Sequence, residues 1–260
     1  MSHTTDGTQG STLLILDGIG GVPLGRELAE ACNAHGIHTT YRDCARLPTI
    51  PLYGLRSALA KTLNHSGKDS YYHLPRVDTQ AVETLLRDTR PDCVLVIGFA
   101  YKFIDPAVLA RLKRELGFAL FLYDTDSCNL YTRRREFIFF LDGELPVYDR
   151  IFSFSRVTSD FFRQTRGLNA VHQPFGALPI VLPDDTPREH DVLFVGSCDL
   201  RRIFLLEHVC EHVSVFGNRW GRHAALTSRA LQARITDRPV WGKELHTLFG
   251  ASKIILNITR

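Results

Sequence analysis

The chain has 260 residues, 44% hydrophobic and 23% charged, which is the composition of an ordinary folded protein with one large domain or two small ones. A formal net charge of +3 is too small to predict nucleic-acid binding. No apolar run approaches the roughly 20 residues of a membrane helix, and residues 1–12 lack the apolar segment of a signal peptide. We therefore expect a cytoplasmic protein with no nucleic-acid partner and no transmembrane segment, in which residues 1–12 form a flexible tail.

The first part of the chain alternates strands with helices. An apolar strand over 13–16 is followed by a glycine turn over 17–21 and a helix over 23–32. Further strands are predicted over 37–41, 93–98, 118–123, 148–155 and 170–174, and further helices over 55–63, 77–89, 105–116 and 157–165. The strands over 93–98 and 118–123 are apolar on both faces, as buried parallel strands are. This order predicts a Rossmann-like domain over 13–183.

A polar, proline-rich stretch over 174–190 predicts a linker, with a domain boundary near residue 183. Beyond it, strands are predicted over 191–196, 213–217 and 253–258, and helices over 202–211 and 243–251. This second domain, 184–260, looks unfinished because no helix follows its last strand, so we expect a missing segment or a partner to cover it. The predicted fold class is α/β, with two Rossmann-like βαβ domains, the second incomplete.

The glycine turn opens a helix, where backbone N–H groups can receive a phosphate or a sugar hydroxyl. As a dinucleotide fingerprint it is imperfect because Pro23 stands where the third glycine belongs, although Asp43 ends the second strand as an NAD-binding acid does. Three interpretations stay open: an NAD site, a tight turn without a ligand, and a loop that lines the site of a transferase. Under the third, Gly20 and Gly21 bind the acceptor.

Two carboxylates follow the strand over 118–123, in the order Asp124-Thr125-Asp126. This order resembles the D-x-D with which metal-dependent glycosyltransferases hold a divalent ion. The same side chains can instead cap the next helix or pair with arginines, or can act at an acceptor site without a metal. The residues by themselves leave these alternatives open.

A possible diphosphate site follows the first strand of the second domain. Gly196 and Ser197 form a turn there, and Arg202 follows in the next helix. Backbone N–H groups and a guanidinium can together hold a diphosphate, and loss of a sugar from a nucleoside diphosphate needs such charge neutralisation. The alternative is that Ser197 is a turn or cap residue and that the arginine is solvated.

The second part of the chain resembles the CgeB-like (spore-maturation-type) glycosyltransferases. The motifs are D-V-L-F-V-G-S over 191–197, V-S-V-F-G-N-R-W over 213–220 and W-G-K-E-L-H-T-L-F-G-A-S-K-I-I-L-N-I over 241–258, within a similarity of order and spacing from about 148 to 260. The resemblance implies a GT-B fold and transfer of a sugar, of hexosyltransferase type, without an obligatory metal. It implies an acceptor on the N-terminal sheet and a donor on the C-terminal sheet.

The resemblance also implies roles for individual residues. Gly196, Ser197 and Arg202 match the family's V-G-S…R turn and would face the donor phosphates, while Gly217 and Trp220 match its G-x-x-W segment. The family's N-x-R-x-F-E segment, which follows its last matching strand and holds the donor, has no counterpart in this sequence.

We therefore predict a glycosyltransferase whose substrates are a UDP- or GDP-sugar and an unknown acceptor, with no tightly bound cofactor and no metal. If the reaction inverts the sugar, the candidates for the general base are Asp17, Asp124 and Asp126. The alternatives are a catalytically incomplete module that binds a nucleotide or a glycan, and an NAD-binding Rossmann protein.

Overall fold

The computed structural model describes residues 11–63, 71–176 and 187–258. The chain divides into two compact units, Met1–Gly176 and Ala177–Arg260. The predicted domain boundary near residue 183 and the predicted tail up to residue 10 lie outside the described residues. Thr12, which we assigned to the tail, is instead the first residue of a strand, because its backbone N–H and its hydroxyl both donate to the Asp92 carboxylate.

The described part of the first unit contains a parallel sheet of six strands in the order β2-β1-β3-β4-β5-β6. Its strands are β1 (Thr12–Asp17), β2 (His38–Asp43), β3 (Cys93–Ile97), β4 (Ala119–Asp124), β5 (Arg150–Ser153) and β6 (Ala170–His172). The chain leaves β1 toward β2 but leaves β3 toward β4, on the other side. The carboxyl ends of β1 and β3 therefore flank the topological switch point, where ligands bind in sheets of this type.

Helices connect these strands and cover the sheet. They are α1 (Leu24–Ala34), α2 (Tyr53–Leu63), α3 (Thr79–Thr89), α4 (Pro106–Leu116), α5 (Arg134–Phe139) and α6 (Arg156–Arg166). Side chains of Asp78, Asp105 and Ser155 accept hydrogen bonds from the first turns of α3, α4 and α6 and so begin these helices. Apolar side chains of α3, α4 and α6 pack in one core cluster with those of β1, β3 and β4.

The described part of the second unit contains a parallel sheet of four strands in the order β10-β7-β8-β9. Its elements are β7 (His190–Val195), α7 (Leu200–Glu207), β8 (Val213–Phe216), α8 (Arg229–Gln232), β9 (Ile235–Thr236), α9 (Gly242–Gly250) and β10 (Ser252–Leu256). Its switch point lies between β7 and β10. The sequence analysis did not predict α8 or β9, which are too short to show a period.

Two elements of the second unit differ from their predicted bounds. The helix predicted over 202–211 is α7, which begins earlier because the Asp199 side chain caps it. It ends at Glu207 and is followed by a turn, in which Val209 O accepts hydrogen bonds from His212 N and Val213 N. The strand predicted over 253–258 ends at Leu256, and the side chain of Ile258 turns into the core.

Strand β10 lies at an edge of its sheet. Ile254 and Ile255 on this strand are 57% and 49% exposed. That a further segment or a partner covers this strand stays a prediction. The helices within the described ranges are all too short or too polar to traverse a lipid bilayer.

Candidate functional site

The first unit has a cavity of about 600 Å³ at the carboxyl ends of β1, β3 and β4. Its floor includes the backbones of Gly18 and Gly98, which directly follow β1 and β3. The apolar lining consists of Ile19, Val22, Leu24, Phe99, Phe103 and Phe175. The polar lining consists of Lys102, Thr125 and Asp126. The cavity thus lies at the switch point of the sheet and has the size of a small-molecule site.

Asp17 lies beneath the glycine turn and is 2% exposed. Its Oδ1 accepts from Ile19 N at 2.9 Å and its Oδ2 from the Tyr41 hydroxyl at 3.2 Å. Gly25 packs so closely that an added Cβ would lie 2.5 Å from Asp17 Oδ2. Burial raises the pKa of Asp17. Asp17 therefore shapes the turn and is not among the residues that line the cavity.

The two glycines that we assigned to the acceptor lie further along the same turn. Gly20 and Gly21 have φ angles of +65° and +76°, which a residue with a side chain rarely adopts. Neither belongs to the lining of the cavity, where Gly18 and Ile19 stand instead. Their assignment to acceptor binding stays a prediction.

Asp124 is 1% exposed and is surrounded by hydrogen-bond donors. Its Oδ1 accepts from Ser127 N at 2.9 Å and Asp126 N at 3.3 Å, and its Oδ2 accepts from the hydroxyls of Ser127 at 2.6 Å and Ser153 at 2.8 Å. Burial raises its pKa, against the effect of these hydrogen bonds. These donors occupy all of the about four lone-pair positions of a carboxylate. Asp124 therefore acts as a buried cap for the turn after β4.

Asp126, two residues further on, has an exposed side chain and lines the cavity. Of the three acids that we predicted as candidates for the general base, Asp126 is the one whose residue borders this cavity. The structure thus gives different roles to two carboxylates that look equivalent in the sequence. Asp124 stabilises the turn after β4, and Asp126, which lies in that turn, lines the cavity.

Lys102 also lines the cavity, and the sequence analysis did not find it. It ends the short 3₁₀ turn Ala100–Lys102 that follows β3. Burial lowers its pKa. Its position shortly after a buried strand could have indicated Lys102 as a candidate, because residues that follow parallel strands lie at the edge of the sheet where ligands bind.

A buried carboxylate fixes the turn that carries Lys102. Glu144 is fully buried and accepts hydrogen bonds from Ala100 N at 2.9 Å, Tyr101 N at 3.0 Å and the Tyr148 hydroxyl at 2.8 Å. Because this carboxylate is out of contact with water, burial raises its pKa to about 7 in spite of these donors. The shape of the turn therefore depends on a group from a distant segment of the chain.

In the second unit, the predicted donor residues come together in one loop cluster. Gly196 directly follows β7, and Gly217 directly follows β8. These two glycines lie so close together that a Cβ on Gly217 would be 1.9 Å from Gly196 O. Gly196 O also accepts from Trp220 Nε1 at 3.0 Å. Trp220 is 1% exposed and packs edge-on against Phe194, so it supports this cluster from the core.

Arg202 joins the carboxyl ends of β7 and β10. Its Nη1 donates to Ser197 O at 2.7 Å, and its Nη2 donates to Ile258 O at 2.8 Å. Its Nε lies 3.5 Å from Asp199 Oδ2. The guanidinium therefore lies at the switch point of the second sheet, where it ties two loops together. Contact of this loop cluster (Gly196, Ser197, Arg202, Gly217 and Trp220) with a donor stays a prediction.

Comparison with solved structures identifies the type of fold. The UDP-GlcNAc 2-epimerase from Neisseria meningitidis, bound to UDP-GlcNAc, matches with a TM-score of 0.50 and 12% identity over 94% of this chain and 76% of that chain. The glycosyltransferase SnogD from Streptomyces nogalater matches with a TM-score of 0.44 and 16% identity over 95% and 75%. The glycosyltransferase SsfS6 from Streptomyces sp. SF2575, complexed with thymidine diphosphate, matches with a TM-score of 0.42 and 12% identity over 94% and 75%.

At 12% identity, the likeness to the epimerase shows the fold alone. The chain has an α/β fold of the GT-B type, built from parallel Rossmann-like sheets, and the predicted fold class is confirmed. No protein-family model matches the sequence, and a search of curated proteins found no match. Membership of the CgeB-like glycosyltransferases stays a prediction.

Proposed function

We propose that this chain is a glycosyltransferase that binds a nucleotide sugar on its second unit and an acceptor in the cavity of its first unit. The observation that carries the proposal is that each parallel sheet has a built loop arrangement at its switch point: the cavity after β1 and β3, and the loop cluster after β7 and β10. Ligands of doubly wound sheets bind at this position.

The donor half of the proposal uses the loop cluster of the second unit. Its glycines let the loops after β7 and β8 pack against each other, and Arg202 supplies a positive charge beside Ser197. The epimerase with the similar fold was solved with a bound nucleotide sugar, UDP-GlcNAc, which supports the choice of ligand class. In the reaction, this positive charge would stabilise the nucleoside diphosphate as it leaves.

In the acceptor half of the proposal, Asp126 at the cavity is the general base. Asp126 would take the proton of an acceptor hydroxyl while that oxygen attacks the anomeric carbon of the sugar. The bond between this carbon and the diphosphate breaks at the same time, and the nucleoside diphosphate leaves with the electron pair. This single displacement step inverts the configuration at the anomeric carbon and needs no metal.

We expect one nucleoside diphosphate, UDP or GDP, and its sugar conjugate to stabilise the second unit. A ligand at about 100 times its Kd adds roughly 2.7 kcal/mol to the free energy of unfolding. For a unit of the size of residues 177–260 the shift in Tm is on the order of 10–20 °C. Thermal unfolding is followed by tryptophan fluorescence, because both tryptophans, Trp220 and Trp241, lie in the second unit.

The same panel includes NAD and is run with and without Mn²⁺. A metal-independent shift together with sugar transfer or hydrolysis of the donor supports the proposal. A shift without turnover would instead identify a binding module, and a shift with NAD alone would identify a dinucleotide-binding protein. If no nucleotide shifts the Tm, the proposed function is wrong.

We expect Asp126→Asn to lower the rate of sugar transfer about a hundredfold, because it removes the proton acceptor while keeping the shape of the side chain. Since Asp126 is exposed, the free energy of unfolding should change by less than about 0.5 kcal/mol. Asp160→Asn, at a partly exposed acid on α6, serves as the control and should keep the wild-type rate. Equal rates for Asp126→Asn and the control would exclude Asp126 as the base.

A further inference from the structure

Among the described residues, the ammonium group of Lys102 makes a single, long ion pair. Among the described residues, the nearest carboxylate oxygen to its Nζ is Glu136 Oε1 at 3.9 Å, beyond hydrogen-bond distance. The rings of Phe99 and Tyr101 also face this group, with centroids 4.2 and 5.6 Å from Nζ. The side chain is 33% exposed, so a large part of it has lost its contact with water. A partly buried charge of this kind is costly unless it is paired.

Glu136 does not fill this role, because its Oε1 lies too far from Lys102 Nζ for a hydrogen bond and its carboxylate is held in place by two other donors. The Tyr101 hydroxyl donates to its Oε1, and Arg133 Nη1 donates to its Oε2 at 3.2 Å. Lys102 therefore retains hydrogen-bonding capacity for a further acceptor. Because the residue lines the cavity of the first unit, that acceptor can be a ligand.

The other walls of the cavity restrict the chemistry of such a ligand. Among the described residues of the lining, Lys102 is the one basic residue and Asp126 the one acidic residue, and six apolar side chains make up most of the rest. A single ammonium beside a carboxylate suits a monoanion better than a diphosphate, whose recognition uses several N–H groups and guanidinium forks. The rings of Phe99, Phe103 and Phe175 offer apolar surface for a flat molecule.

We propose that the cavity of the first unit binds an apolar, ring-containing hydroxy acid, whose carboxylate pairs with Lys102 and whose hydroxyl lies at Asp126. The assignment of this molecule as the sugar acceptor rests on the proposed function. Its binding does not, because both charged residues and the apolar walls belong to the first unit. Lys102 is then the residue that selects acidic acceptors.

The test measures binding to the full chain in the absence of any nucleotide, by calorimetry. The probes are benzoate, para-hydroxybenzoate and para-hydroxycinnamate, each paired with its neutral amide. We expect at least one acid to bind about tenfold more tightly than its amide, as a charge-assisted hydrogen bond provides. Equal affinity of every acid and its amide, or no saturable binding of any acid, would overturn the inference.

Variants assign the preference to Lys102. Lys102→Met keeps the length of the side chain without its charge and should bind each acid only as tightly as its amide, whereas Lys102→Arg should keep the preference. Lys243→Met, which removes an exposed lysine of α9 outside the cavity lining, is the matched control and should behave as the wild type. If Lys102→Met still bound the acids more tightly than their amides, the role proposed for Lys102 would be wrong.

The variants should remain folded, since Glu136 keeps its hydrogen bonds from Tyr101 and Arg133 and loss of the ammonium also removes the cost of its partial burial. Their Tm values verify this directly. The two proposals can fail independently. Nucleotide binding without a preference for acids would contradict only the acid-binding cavity, and acid binding without nucleotide binding would contradict only the proposed glycosyltransferase function.

Discussion

Gly217→Ala is expected to lower the free energy of unfolding of the second unit by about 3–5 kcal/mol, through overpacking and backbone strain. The new Cβ would lie 1.9 Å from Gly196 O and 2.5 Å from Gly196 C, and both are backbone atoms that cannot rotate away. The φ of Gly217, +155°, is also one that residues with side chains rarely adopt. The two loops must therefore separate.

Separation of the loops has a further cost. Gly196 O accepts the hydrogen bond of the buried Trp220 Nε1, and Gly196 N donates to Phe216 O at 2.8 Å. Movement of Gly196 away from Gly217 would weaken both bonds and expose part of the core. A buried donor that loses its partner costs about 1–3 kcal/mol. This is why we expect an effect much larger than that of an ordinary glycine substitution.

Urea denaturation followed by tryptophan fluorescence measures this effect, because the tryptophans report the second unit and all eight tyrosines lie in the first. Gly242→Ala is the matched control in the same unit: its φ is +54°, but nothing lies within 4 Å of the added Cβ. It should cost only about 1 kcal/mol. If the two variants were equally stable, the close packing of the loops would be refuted.

The first unit is expected to lose about 3 kcal/mol of stability as the pH rises from about 5 to about 8, because of Glu144. Burial raises the pKa of Glu144 from its ordinary value of 4.5 to about 7 in the folded protein. Below pH 4.5 the carboxyl is protonated in both states, and its stabilising contribution is complete. Above that value the unfolded chain loses the proton first, so this contribution falls and is gone above about pH 7.

The measurement compares the pH dependence of unfolding of the wild type with that of Glu144→Gln, followed by tyrosine near-UV circular dichroism. The variant has no proton to lose at this position, so its curve should lack the fall. The difference between the curves removes the shared contributions of Asp17, whose pKa burial raises, and of His73, whose pKa burial lowers. Parallel curves would show that Glu144 does not titrate in this range.

The sequence predicted most of the fold because the signals are local. Apolar runs such as those of β3 and β4 indicate buried parallel strands, and helical spacing followed by glycine indicates where helices end. The bounds changed where a single side chain decided them, as Asp199 does at the start of α7. The alternation of strands and helices sufficed for the α/β class, and the comparison with the epimerase confirms it.

The candidate site was predicted only in part. The sequence placed polar residues at strand ends, but it could not tell a buried carboxylate from an exposed one. The buried carboxylate of Asp124 is held in part by Ser153, 29 residues away on the neighbouring strand, whose hydroxyl donates to it. Lys102 lines the cavity because Glu144, 44 residues from Ala100, holds the preceding turn. No pattern within a single segment records either relation.

Local patterns thus sufficed to predict the order of strands and helices and the edge of each sheet at which the candidate site residues lie. Periodicity and capping act over a few residues, so a linear chain displays them directly. The folded protein was needed to show that Asp17 and Asp124 support turns, that Asp126 and Lys102 line the cavity, and that Arg202 connects the loops after β7 and β10. These roles depend on burial and on partners distant in sequence, which exist only once the sheets have formed.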